Sequence, residues 1–183
     1  MVAAAAFSTG NKLVVTASYD NTARLWDVAT GKEISRLEGH GSWVRTAAFS
    51  TDNKLVVTAS HDQTAARLWN VKTGKEVTRL EGHGDWVIVA PFSTDNKLVV
   101  TASYDKTARL WDVATGRLVR TLIPLAKGWI SLPAEGVAIC EGEGGEVLTY
   151  YDPDEREIPR TLWYHEDVKD LLAARQSKKK AGG

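Results

Sequence analysis

Four residues in the C-terminal third have the types that a thiol enzyme uses: Cys140 as nucleophile, His165 as base, and Asp167 or Asp170 to orient the base. No family signature surrounds Cys140 and nothing in the chain places it beside the histidine, so the cysteine reads as a small hydrophobe inside a strand. The run Glu141 to Glu146, EGEGGE, is glycine-rich like a phosphate loop, but it is acidic and lacks the Lys-Ser/Thr that holds phosphate, so it reads as turns. Glu141, Glu143, Glu146, Asp152, Asp154 and Glu155 would attract a divalent cation, yet their order does not match a calcium loop. They read as a solvated acidic face, and neither a metal nor a cofactor is expected. A second set of reactive types recurs: His40 and His83 each precede an aspartate, Asp62 and Asp105, by 22 residues, with Thr58 and Thr101 between. A histidine, a carboxylate and a hydroxyl are the parts of an acyl-transfer triad.

The elements that carry this second set are repeats. Phe7 to Val44 and Phe49 to Val87 differ at eight aligned positions and by one inserted alanine, and a third copy runs from Phe92 to Leu122. The period is about 42 residues, read from Phe7, Phe49 and Phe92 and from Trp26, Trp69 and Trp111. Within a period, β-branched and aromatic segments alternate with Gly, Asn and Asp turn signals. In the second copy the pattern predicts strands over Val44–Phe49, Leu55–Ser60, Ala66–Val71 and Glu76–Leu80. Four antiparallel strands in a unit of this length are the arithmetic of a propeller blade.

The chain resembles the WD-repeat β-propeller family, bacterial-type with near-identical tandem copies, through Trp26-Asp27, Trp69-Asn70 and Trp111-Asp112 together with Gly39-His40 and Gly82-His83. The resemblance covers Val2 to about Leu122. It implies an all-β fold, a partial β-propeller of three four-stranded antiparallel blades at about 2–41, 42–84 and 85–122. It also implies a role for the recurring polar residues. In the family a His of the GH turn, a hydroxyl on the second strand, an Asp of the next turn and the Trp of the third strand form a hydrogen-bonded chain. That maps onto His40, Thr58, Asp62 and Trp69, and onto His83, Thr101, Asp105 and Trp111. These are structural tetrads, because donors and acceptors match and each buried group finds a partner; no catalytic residue is expected. The first copy has Thr16, Asp20 and Trp26 but no preceding His.

Two departures bear on geometry. Ala65-Ala66 stands where the other copies have one alanine, so a β-bulge is expected to absorb the extra residue and to re-aim Asp62 or Trp69. Pro91 falls in an expected innermost strand, where only an edge position tolerates it. Closure requires about four blades or more. Three leave apolar faces open, so the chain is expected either to be the C-terminal remnant of a longer repeat protein or to complete a ring with other chains, and the near-identity of the copies favours the first. After Leu122 a β-rich tail over 123–164 reads as a small β meander or a degenerate blade, followed by a short C-terminal helix over 165–176 and a disordered 177–183. The tail is similar to the segment following WD repeats in some large bacterial signalling proteins with an upstream NTPase or protease domain.

Composition limits the function classes. With 23 basic and 23 acidic residues the net charge is zero, which gives no electrostatic case for nucleic acid or an acidic membrane. Lys178 to Lys180 lack interleaved aromatics and read as a generic soluble tail. One cysteine forms no internal disulfide, and the N-terminus has neither a basic n-region nor a long apolar run, so a cytoplasmic protein is expected. The resemblance implies a non-enzymatic scaffold for protein partners of unknown identity; the alternative is the sensor end of a larger signalling enzyme. Trp43, His61, Gln63, Trp86, Tyr104 and Lys106 fall in turns on one presumed face and are the partner-binding candidates. The tryptophans have a second reading, in which they pack between blades. His61, Gln63, Tyr104 and Lys106 are where the copies vary.

Overall fold

The computed structural model describes residues 1–62, 66–125, 128–134 and 139–142. The expected C-terminal helix over 165–176 and the tail after it lie outside them. The chain divides into two units, Met1–Thr121 and Leu122–Gly183.

The first unit holds two antiparallel four-stranded sheets and the four strands that begin a third, six-stranded one. Blade 1 is β1 (Val2–Phe7), β2 (Leu13–Ser18), β3 (Ala23–Asp27) and β4 (Glu33–Leu37). Blade 2 is β5 (Val44–Phe49), β6 (Leu55–Ser60), β7 (Ala66–Asn70) and β8 (Glu76–Leu80). Blade 3 is β9 (Val87–Val89), β10 (Leu98–Ser103), β11 (Ala108–Asp112) and β12 (Leu118–Leu125), the last crossing into the second unit. In each, the strands follow one another as neighbours, so every connection is a short turn. In the second unit the end of β12 is followed in the sheet by β13 (Gly128–Pro133), which pairs with β14 (Ile139–Gly142).

Alternation along the strands sends small and branched residues to the faces between blades. Val15, Ala17, Ala23, Leu25 and Leu37 of blade 1 bury against Val44, Ala47, Val56 and Trp69 of blade 2. The same positions one repeat on, Val57, Ala59, Ala66, Leu68 and Leu80, bury against Val87, Ala90, Val99 and Trp111 of blade 3. Each joint therefore sets Ala and Leu on one face against a tryptophan on the next. Non-directional burial of this apolar surface drives the stacking.

The turns also tie neighbours together. Asn53, in the left-handed conformation at φ 57°, accepts the Thr9 N–H at 2.8 Å and donates to the Thr9 carbonyl at 2.8 Å. Asn96 at φ 59° makes the corresponding clasp one blade later, accepting the Thr51 N–H at 2.8 Å and donating to the Thr51 hydroxyl at 2.7 Å. Asparagine tolerates that backbone and carries both a donor and an acceptor. The aspartate of each Trp-Asp pair caps the next turn: Asp27 accepts the N–H and hydroxyl of Thr30, both at 2.7 Å, and Asp112 does the same with Thr115. Asn70 substitutes in blade 2, accepting from Thr73 at 3.0 and 3.2 Å.

The extra alanine of blade 2 makes no bulge in the ladder. The β6–β7 pairing runs from Leu55↔Asn70 to Ala59↔Ala66 without a register shift, as in the other blades. The insertion sits in the connection between Ser60 and Ala66, where an added residue breaks no ladder bond. Pro91 lies outside any strand: β9 stops at Val89, and the chain rejoins β10 through an isolated Phe92↔Val99 bridge. The Pro91 carbonyl still accepts the Val100 N–H at 3.1 Å, but a residue without an N–H of its own interrupts the ladder there.

Candidate functional site

Two polar chains run through the blades. In blade 2, Trp69 Nε1–H donates to Thr58 Oγ1 at 2.8 Å, Thr58 Oγ1 is 2.7 Å from His40 Nε2, and His40 Nδ1 is 2.9 Å from Asp62 Oδ2. In blade 3 the equivalents are Trp111 to Thr101 at 2.8 Å, Thr101 to His83 at 2.7 Å, and His83 to Asp105 at 2.8 Å. Chemistry fixes the direction. Indole only donates and carboxylate only accepts, so each threonine donates its proton to Nε2 and each histidine carries its own on Nδ1. The backbone N–H of Gly41 and of Gly84 adds a second donor to the same carboxylate oxygen. Both imidazoles are fully buried.

Burial alone would raise the Asp105 pKa, but the Gly84 N–H, the Thr107 hydroxyl and His83 hold it at about 2. Burial pushes the His83 pKa down, against the opposing pull of Asp105 and with a further lowering from Arg109. In blade 1, Trp26 still donates to Thr16 at 2.9 Å. With no histidine before it, Asp20 turns to Thr22 and, at 2.8 Å, to Arg24. Its pKa falls to about 2, chiefly through the Thr22 hydroxyl.

The sequence reading passed over the arginine of each third strand. Arg67 is buried between Glu76 at 2.6 Å and Asp62 at 3.9 Å, Arg24 bridges Asp20 and Glu33, and Arg109 lies 3.8 Å from Asp105. Recurrence at one repeat position was the available signal. The serines ending each second strand were passed over too: Ser60 and Ser103 donate to the Ser42 and Asp85 carbonyls and accept the N–H of Asp62 and Asp105.

The turn residues form a separate feature, a stripe of five rings across all three blades. Tyr19 stacks on Trp43 at 4.7 Å, Trp43 meets His61 at 5.8 Å, His61 stacks on Trp86 at 4.2 Å, and Trp86 meets Tyr104 edge-on at 6.1 Å. The backbone sets the spacing, since His61 and Tyr104 donate their N–H groups to the carbonyls of Trp43 and Trp86. Arg45 donates to the Tyr19 hydroxyl at 2.5 Å. The rings pack on one another and still reach solvent: Trp43 is 47% exposed, Trp86 44% and Tyr104 58%. Lys106, exposed beside Tyr104, holds the left-handed conformation at φ 65°. Gln63 lies outside the described residues. Among the described residues no group of three or more His, Cys, Asp or Glu is placed to hold a metal ion, and no helix is long and apolar enough to cross a membrane.

Stacked four-stranded antiparallel blades of about 42 residues, each with a tryptophan on its third strand, define a β-propeller-type repeat protein. The profile of the WD domain, G-beta repeat, matches residues 2–27, 31–70 and 74–112, and the chain belongs to that family. Single repeats are similar to those of larger proteins. The chain is 50% identical over 42 residues to a probable serine/threonine-protein kinase, PkwA, of Thermomonospora curvata, covering 23% of this chain and 6% of the relative. It is 51% identical over 43 residues to nuclear distribution protein PAC1-2 of Uncinocarpus reesii, 24% of this chain and 9% of that one. Against nuclear distribution protein nudF 1 of Talaromyces marneffei it is 43% identical over 44 residues, 24% of this chain and 10% of the relative. The matched stretch thus spans a tenth or less of these curated relatives.

Proposed function

We propose that the chain is a non-enzymatic, cytoplasmic interaction scaffold that presents the five-ring stripe and its flanking turns to a protein partner. The observation that carries this reading is the partial exposure of Trp43 in blade 2 and of Trp86 and Tyr104 in blade 3. Tryptophan and tyrosine supply large contact area at low entropic cost and dominate interface energetics. Lys106 adds support: a lysine held in a backbone conformation that suits asparagine or glycine is strain retained at a surface position, a mark of function over stability. The tetrads serve as core structure, since a fully buried imidazole offers no base to a substrate. The test is affinity capture with wild type and with a Trp86→Ala, Tyr104→Ala, Lys106→Ala variant. Titration calorimetry of the captured protein then follows, with dichroism confirming that both baits fold. Equal affinity for both would remove the stripe as the interface.

A second reading makes these blades the regulatory end of a longer signalling enzyme, and the likeness to a protein described as a probable serine/threonine-protein kinase favours it. In a longer repeat protein a preceding blade would cover blade 1.

A further inference from the structure

Resting on the reading of the blades as an interaction module, we propose that the face of blade 1 turned away from blade 2 binds, in a second copy of this chain, the face of blade 3 turned away from blade 2, head to tail. The internal joints are the control. At the positions where blades 2 and 3 bury Val44 and Val87, blade 1 carries Val2, 60% exposed. Where Phe49 and Phe92, and Val71 and Val113, pack on the preceding blade, Phe7 is 62% and Val28 46% exposed. Trp26, unlike the buried Trp69 and Trp111, is only half-buried. The opposite face of blade 3 shows the complementary deficit. Ala102, Ala108 and Leu110 are half-buried at positions whose counterparts in blades 1 and 2 are wholly buried.

The clasp between turns is also left open at one end. Asn11 has the left-handed backbone of Asn53 and Asn96, φ 56°, but its amide bonds to nothing among the described residues. In the proposed joint it takes the place of those two asparagines and clasps Thr94 of the second copy, the counterpart of Thr9 and Thr51. One position differs. Ser35 and Thr78 nestle against Gly74 and Gly116, but Arg120 stands at the equivalent site facing Gly31. An arginine must swing aside from that glycine, which makes the external joint weaker than the internal ones and reversible. Because the two faces differ, the contact is heterologous, and it either closes a ring or propagates.

Sedimentation velocity of the full chain, from about 1 to 100 µM, tests this with Phe7→Glu to block one face and Leu110→Glu to block the other. Wild type should associate with concentration, each variant alone should not, and the two mixed should form a 1:1 pair of twice the monomer mass and nothing larger. A monomeric wild type overturns the proposal. So does a mixture that fails to pair, or association of Leu110→Glu as strong as wild type, which would mean like faces meet. Should Leu110→Glu fail to fold by dichroism, Asn11→Gly keeps the backbone, removes the clasp and should weaken association about tenfold; no change would count against the joint. Neither Phe7 nor Leu110 belongs to the ring stripe, so partner binding by the same two variants is scored separately.

Discussion

The imidazole of His61 lies parallel to the indole of Trp86, with 4.2 Å between centroids and 7° between planes. It occupies the position that Tyr19 and Tyr104 hold in the other two copies. Burial, and secondarily Arg45, lowers its pKa against a smaller opposing effect of Asp85. A histidine whose folded pKa lies below its unfolded value favours folding fully above the unfolded value, about 6.5, and loses that contribution as pH falls through it toward the folded value. His61→Tyr should keep the stack, leave stability at pH 8 within about 0.5 kcal/mol of wild type, and flatten the decline below pH 6.5. Urea unfolding at pH 8 and pH 5.5 measures both.

His83→Ala should destabilise the protein by about 1 to 3 kcal/mol, because Asp105 and Thr101 each lose one buried hydrogen bond that no water replaces at the same site. Thr101→Val should act in the same range by orphaning the Trp111 indole. If the four residues work as a chain, the double variant falls short of the sum of the two single losses. Strict additivity in denaturant melts would mean that they do not. His83 carries the same pH sign as His61, since burial lowers its pKa despite Asp105. The decline below pH 6.5 should therefore persist in part in His61→Tyr and shrink further once His83 is also replaced.

Gly74 and Gly31 share a left-handed backbone, φ 66° and 67°, at the same repeat position. An added Cβ at Gly74 would meet Ser35 Oγ, whereas at Gly31 it would meet nothing within 4 Å. Gly31→Ala should cost only the conformational penalty, about 1 to 2 kcal/mol. Gly74→Ala should cost that and more, because Ser35 must move. Equal melting temperatures for the two would show that the joint between blades 1 and 2 is looser than its packing implies.

Lys106→Asn should raise stability by about 0.5 to 1 kcal/mol, since asparagine tolerates the left-handed turn that lysine does not. Blade 1 already carries Asn21 at φ 69° in its equivalent turn. A gain in thermal midpoint together with weaker partner binding is the expected pair of results; no gain would mean that Lys106 is not strained.

The blades were legible because the copies share their hydrophobic alternation and turn residues, so that each reading of a strand was made three times. Spacing also singled out His83, Thr101, Asp105 and Trp111, which the structure brings within hydrogen-bond distance; their role rests on the test above. The ring stripe was not legible as a stack, because it joins residues from different copies at positions where the copies vary. The place of the extra alanine was misread as a bulge because spacing counts residues without saying which of them pair. After Leu122 no second copy exists to read against.

Blade 3 carries one irregularity that its neighbours lack, the proline that ends β9 after three residues where β1 and β5 run for six. Fewer ladder bonds hold this strand to the rest of its sheet, and resistance to local opening falls with them. Amide exchange should therefore be fastest, among the three first strands, at Val87 to Val89, and on mild heating that strand should detach before β5 does. The order in which the array comes apart is thus written into a single ring closure at one backbone nitrogen.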